Sequence, residues 1–102
     1  KRRRFIWAEV STFERWWSEQ SAQTKLYMQE LIQNKQFEFV TGGWVQPDEA
    51  ITNLYALEIQ LQEGHDWLHN TFGQHSIPQY GWSIDAKGHS PTVAHMLKKH
   101  GF

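Results

Sequence analysis

The sequence contains no cysteine, only three prolines in 102 residues, and no apolar run as long as a membrane span. Without cysteine the chain has no disulfides and no thiolate chemistry, which fits a reducing compartment without excluding the secretory pathway. The formal net charge is −1, so neither sign of charge dominates. We therefore expect no nucleic acid partner, and membrane anchoring only through segments outside this chain.

Aromatic residues are abundant by contrast, at 15% of the chain with six tryptophans. Large rings contribute much of the apolar area of a core, and they also form platforms on which sugars and bases stack. We expect most of them to lie in the core. A chain of this length with 39% hydrophobic residues can form one core but is small for a complete α/β enzyme.

Apolar runs and helix signals alternate along the chain. Strands are predicted at 5–10, 36–41 and 81–85, and helices at 11–18, 22–34, 48–72 and from about 90 to 100. The first strand carries one charge, which is typical of a strand buried on both faces. Alternation at this spacing favours right-handed β-α units and a parallel sheet, so the predicted fold class is α/β.

Capping residues predict where the helices begin and end. Ser11 and Glu14 match a capping box, and Asp48 is a natural N-cap for the longest helix. Asp48 and Glu49 can also be interpreted as an acid/base pair, but adjacent residues do not face one another on a helix, which favours capping. Gly73 is the predicted C-terminal cap of that helix.

Two histidines on the longest helix, His65 and His69, have the spacing of metal ligands on one helix face. The sequence offers no cysteine and no third histidine beside them. We therefore interpret them as a surface pair.

Glu9, residues 42–44 and Asp85 stand at or directly after the carboxyl ends of the three predicted strands. The carboxyl ends of parallel strands share one edge of a sheet, where ligand sites of α/β proteins lie. Asp85 is therefore a candidate site residue, although aspartate is also common in turns. Trp44 is equally compatible with a cleft wall and with a ring that seals the sheet edge.

Three stretches in this order and spacing resemble glycoside hydrolase family 38, the class II α-mannosidases, and the Golgi-type branch more than the lysosomal one. They are Arg4–Trp7 with Glu9 and the later Trp16–Trp17, then Thr41–Val45 with Asp48–Ala50, then Gly81–Asp85 with Gly88–Ser90. Glu63–His65 and Trp67–Leu68 add to the match. The resemblance covers almost the whole chain. It implies that residues 1–102 are part of an N-terminal catalytic domain, incomplete at both ends, of a larger seven-stranded β/α barrel-like fold.

The resemblance also implies a function. The parent enzyme would hydrolyse α-mannosidic bonds in mannose-containing glycans by a retaining, zinc-assisted mechanism, with Asp85 as both nucleophile and zinc ligand. One zinc ion is expected, with its other ligands outside this chain, so the fragment alone is expected to be inactive. The compartment implied is the lumen of the secretory pathway, the Golgi rather than the lysosome.

The family usually has Pro-Phe directly after the nucleophile, whereas this chain has Ala86 and Lys87. Because the usual aromatic contributes to the sugar subsite, Lys87 marks a change in substrate binding, and we expect Trp44 and Lys87 to line the substrate-binding region. The alternative is a diverged, non-catalytic module that binds carbohydrate or another partner.

Overall fold

A computed structural model of the chain describes residues 3–46, 53–83 and 91–102. The described residues form two strands, four α-helices and one short 3-10 helix. In chain order these are β1 (Phe5–Glu9), α1 (Val10–Ser18), α2 (Ala22–Gln33), β2 (Phe37–Gly43), α3 (Leu54–Phe72), the 3-10 helix (Gln74–Ser76) and α4 (Pro91–Lys99).

The two strands pair in parallel, with Phe5 opposite Phe37 and Glu9 opposite Gly43. The crossover between them consists of α1 and α2, as a parallel pair requires. The register shifts between Trp7 and Glu9. The α/β class with parallel strands is therefore confirmed. Within the described residues no helix has the length and apolar character needed to cross a membrane.

The predicted third strand differs from the structure. Residues 81–83 form no strand, and 84–85 lie outside the described residues. The segment instead lies against the end of β2, where the Thr41 N–H donates to the carbonyl of Tyr80 at 2.7 Å. Thr41 has a φ of 57° and Gly42 a φ of 78°, so the β2 backbone leaves the extended conformation that a continuous ladder needs.

Aromatic rings dominate the main core. Phe13 lies at its centre, with its ring centroid 5.0 Å from that of Phe39. The buried members of this cluster come from α1, α2, α3 and β2: Val10, Phe13, Ile32, Phe39, Leu68 and Phe72. A smaller cluster of Leu57, Leu61 and Met96 joins α3 to α4. The expectation that most aromatics belong to the core holds for only half of the tryptophans, because Trp7, Trp16 and Trp82 are exposed.

β1 is not buried on both faces as its composition predicts. Phe5, Ile6 and Trp7 are exposed, and burial begins only at Ala8. In the part of the chain that the structure describes, β2 is the one strand that pairs with β1. Among the described residues the other side of β1 is therefore an open sheet edge, and its apolar side chains remain exposed there.

Two helices begin away from the predicted caps. α1 begins at Val10, one residue early, and its N-cap Glu9 makes no side-chain capping bond, so the predicted capping box is wrong. α3 begins at Leu54, where the Asn53 side chain accepts a hydrogen bond of 2.7 Å from Ala56 N–H. Asp48 lies outside the described residues. The predicted C-cap of α3 is confirmed, since Gly73 has a φ of 96°.

Candidate active site

The carboxyl ends of β1 and β2 meet as predicted, since Glu9 lies opposite Gly43. The Glu9 carboxylate accepts a hydrogen bond of 3.2 Å from the backbone N–H of Gln46. This bond ties the segment that leaves β2 to the end of β1. Glu9 thus has a structural partner at the edge of the sheet where α/β proteins bind ligands.

Trp44 is fixed from two sides through its backbone. Its N–H donates to the carbonyl of Gln60 in α3, and its own carbonyl accepts from Ser11 N–H in α1, both at 2.9 Å. The indole is half-buried and packs against the main core. The ring is therefore held in one place at the strand ends, with part of its surface accessible.

Thr41 joins β2 to the segment that leads towards Asp85. Its hydroxyl donates to the carbonyl of Trp82 at 2.8 Å and accepts from the N–H of the same residue at 2.7 Å. A hydroxyl has one proton to give and lone pairs to receive, so it satisfies both backbone groups at once. The Thr41 side chain therefore takes the place of the ladder bonds that are missing between β2 and residues 81–83.

His65 lies next to the contact between Thr41 and Trp82. Its position shows that the prediction of His65 and His69 as a surface pair is wrong for His65. Its side chain is buried, whereas that of His69 is exposed. The Nε2–H of His65 donates to the carbonyl of Thr41 at 2.8 Å. Burial lowers the pKa of His65; the hydrogen bond to Thr41 raises it in part, nearby His100 lowers it, and Asp66 raises it. The imidazole is therefore neutral at pH 7.

α3 approaches the end of β2 closely because residue 64 is glycine. A Cβ atom there would collide with the carbonyl oxygen of Gly42. At Gly42, likewise, a Cβ would run into the ring of Pro78, at 2.5 Å, and would press on His65. The strand end is thus enclosed between α3 and the segment after the 3-10 helix, so a shift of either would displace the backbone at 41–44.

Comparison with known proteins decides the family. Residues 1–102 match the family model described as "Glycosyl hydrolases family 38 N-terminal domain". The chain belongs to glycosyl hydrolase family 38. It is similar to "Alpha-mannosidase 2" of Homo sapiens (50% identity over 100 residues), "Alpha-mannosidase 2x" of Mus musculus (48% over 98) and "Alpha-mannosidase 2" of Arabidopsis thaliana (43% over 101).

The matches cover 98%, 96% and 99% of this chain but only 9%, 8% and 8% of the three relatives. The chain therefore spans less than a tenth of the length of these relatives. The family recognised from the sequence motifs is confirmed.

Asp85 and Lys87, which the family resemblance predicts as nucleophile and substrate contact, lie outside the described residues, so both remain predictions. Within 3–46, 53–83 and 91–102 there is no group of three or more histidine, cysteine, aspartate or glutamate side chains able to hold a metal ion. The described part of this chain therefore supplies no zinc site by itself. What it does supply is the anchored segment that ends at Ser83, two residues before Asp85.

Proposed function

We propose that the chain is part of an α-mannosidase that hydrolyses α-mannosidic bonds in glycans by a retaining, zinc-assisted mechanism, with Asp85 as nucleophile. Membership of family 38, whose matched relatives are named alpha-mannosidases, is the observation that carries this proposal. The anchoring of Trp82 to the carboxyl end of β2 supports it, because that end of a parallel sheet is where such folds place reacting groups.

The chemistry follows from a carboxylate beside a glycosidic bond. The Asp85 carboxylate attacks the anomeric carbon of mannose, the bond to the leaving oxygen breaks, and that oxygen takes a proton from a second carboxyl group outside this chain. Water, deprotonated by the same second group, then releases mannose with its configuration retained. A zinc ion, held in part by Asp85, would supply Lewis-acid contacts to sugar hydroxyls beside the nucleophile and would help to hold the ring in register.

A single carboxylate does not hold zinc, which takes about four ligands. Asp85 would supply one ligand, and the parent protein would supply the others from segments outside residues 1–102. For this reason we propose that the isolated chain is inactive. We propose the Golgi lumen as the compartment, on the resemblance of the motifs to the Golgi-type branch.

Trp44 and Lys87 are proposed to contact the substrate. The support for Trp44 is its fixed, half-buried ring at the strand ends, since an aromatic face held in place can stack on the apolar face of a sugar. Lys87 stands where the family usually has an aromatic residue, and its ammonium would offer hydrogen bonds in place of stacking.

The test compares the full-length parent protein with its Asp85→Asn variant, using zinc content, turnover of an aryl α-mannoside and the anomeric form of the first product. Asp66→Asn is the matched control, because Asp66 is exposed on α3 and accepts a hydrogen bond only from Gln62 among the described residues. We expect a retained anomer, loss of turnover in Asp85→Asn and normal turnover in Asp66→Asn.

Two results would contradict the proposal. Equal turnover in Asp85→Asn and Asp66→Asn would remove Asp85 as nucleophile. A folded parent protein that contains no zinc and cleaves no mannoside would leave only the binding-module alternative, which Lys87 favours.

A further inference from the structure

The hydroxyl of Thr41 connects the sheet to the chain just before the nucleophile position. It accepts a hydrogen bond of 2.7 Å from the N–H of Trp82 and donates one of 2.8 Å to the carbonyl of Trp82. Trp82 precedes Asp85 by three residues. No regular strand pairing holds residues 81–83. Among the described residues, this side chain and the bond from Thr41 N–H to Tyr80 are therefore the hydrogen bonds that fix the approach to Asp85.

Thr41 itself is held in a conformation that a threonine rarely adopts. Its φ of 57° lies in the left-handed region, which is uncommon for a β-branched residue. Such strain persists only where the surroundings enforce it, and it clusters at functional sites. Here the carbonyl of Thr41 accepts a hydrogen bond from the buried His65. The next residue, Gly42, packs against α3 and Pro78.

We propose that Thr41 is a positioning residue for catalysis, which sets the place of the nucleophile segment through Trp82, and that His65 holds Thr41 in the required conformation. The proposal rests on the proposed role of Asp85. A retaining glycosidase needs its nucleophile within a short distance of the anomeric carbon, and a displacement of about 1 Å can cost about 10²-fold in rate. Loss of the hydroxyl would remove both hydrogen bonds that tie Trp82 to β2, and would leave only the bond from Thr41 N–H to the carbonyl of Tyr80.

The test is the pair Thr41→Val and Thr41→Ser in the full-length protein. Valine keeps the β-branch and removes the hydroxyl, whereas serine keeps the hydroxyl and removes the methyl group. Both are assayed with an aryl α-mannoside for kcat and KM, and with a fluorinated mannosyl fluoride that traps the glycosyl-enzyme, so that only competent sites are counted. Thr41→Ala replaces Thr41→Val if the valine variant does not fold.

We expect Thr41→Val to lower kcat, and the rate of trapping at saturating inactivator, by about 10²-fold per competent site, with KM unchanged. We expect Thr41→Ser to retain most of the wild-type rate. A merely structural role would instead lower the number of competent sites and leave the rate per site unchanged, which would overturn the proposal. Equal rates per site in the two variants would overturn it as well.

The role of His65 is tested by a double-mutant cycle. Because His65 acts through Thr41, the rate lost in the His65→Leu, Thr41→Val double variant should be no greater than that lost in Thr41→Val alone. Additive losses would contradict this link. Failure of the proposed function would appear differently, as absence of turnover and trapping in the wild-type protein, whereas failure of the positioning role appears only in the variants.

Discussion

The imidazole Nε2 of His65 lies 2.8 Å from the carbonyl oxygen of Thr41, which fastens the middle of α3 to the end of β2. The donor is the neutral imidazole, because burial lowers the pKa of His65 below its ordinary value of 6.5. The hydrogen bond opposes that shift, as does Asp66, and His100 adds to it. The contact between α3 and the end of β2 should therefore weaken when the buried His65 is protonated.

The stability of the protein should fall as this histidine protonates. The unfolded chain binds a proton at His65 near pH 6.5, and the folded chain only at a lower pH. Stability from this group is therefore fully present above pH 6.5 and decreases as pH falls from 6.5 to the folded pKa. The thermal midpoint of the full-length protein, measured from pH 8 to pH 5, should show a decrease that His65→Gln reduces.

His69→Gln is the control for this measurement, because His69 lies one turn further along α3 and is exposed. It should keep the wild-type dependence on pH. At pH 8, His65→Gln should already melt lower than wild type, since it repacks a buried site. A pH profile that is identical in wild type and His65→Gln would remove His65 as the source.

Gly64→Ala should destabilise the protein although alanine favours helix. An alanine inside a helix gains roughly 0.5–1 kcal/mol over glycine. At position 64 the added methyl group would collide with the Gly42 carbonyl, and overpacking of this kind costs about 1–3 kcal/mol. The steric cost outweighs the gain, so denaturant unfolding should show a net loss. Glu63→Ala, at the exposed neighbouring position, should change stability little, and a stabilised Gly64→Ala would show that α3 does not lie this close to β2.

Asn53→Ala should cost about 1 kcal/mol of folding free energy, because the side chain caps α3 by accepting from Ala56 N–H at 2.7 Å. Asn53→Asp keeps an acceptor oxygen and adds a negative charge at the helix N-terminus, so it should be neutral or stabilising. Denaturant unfolding of the three proteins checks the order. If alanine and aspartate variants are equally stable, Asn53 is not the cap.

Local signals in the sequence predict most of the fold. The alternation of apolar runs predicts the parallel α/β arrangement, and Gly73 predicts the end of α3. The start of α3 is harder to predict, because Asp48 and Asn53 both precede the helix and both can cap it. The exposed face of β1 is also beyond prediction from composition, since burial depends on what covers the strand.

The junction at Thr41 depends on tertiary contacts that no local pattern reveals. His65 does carry a signal, because it continues the buried stripe of α3 from Leu61 to Leu68, and a histidine on that stripe is a candidate for the core. The left-handed conformation of Thr41 has no signal in the sequence, because threonine is among the residues least suited to that conformation. The strand-end position makes Asp85 a candidate but also fits a turn, and only the family resemblance predicts its role as nucleophile.

Lys87→Phe should restore the aromatic residue that the family usually has at this position. If Lys87 faces the sugar, a ring there should lower KM for an aryl α-mannoside, since aromatic contacts contribute about 0.5–1.5 kcal/mol, or roughly 2- to 10-fold. Lys87→Gln separates the effect of the ring from that of the charge, because it removes the ammonium without adding an aromatic face. We expect KM to fall for Lys87→Phe and to stay constant or rise for Lys87→Gln. An equal change in both variants would mean that the charge alone matters at this position, and no change in either would place residue 87 outside the substrate-binding region.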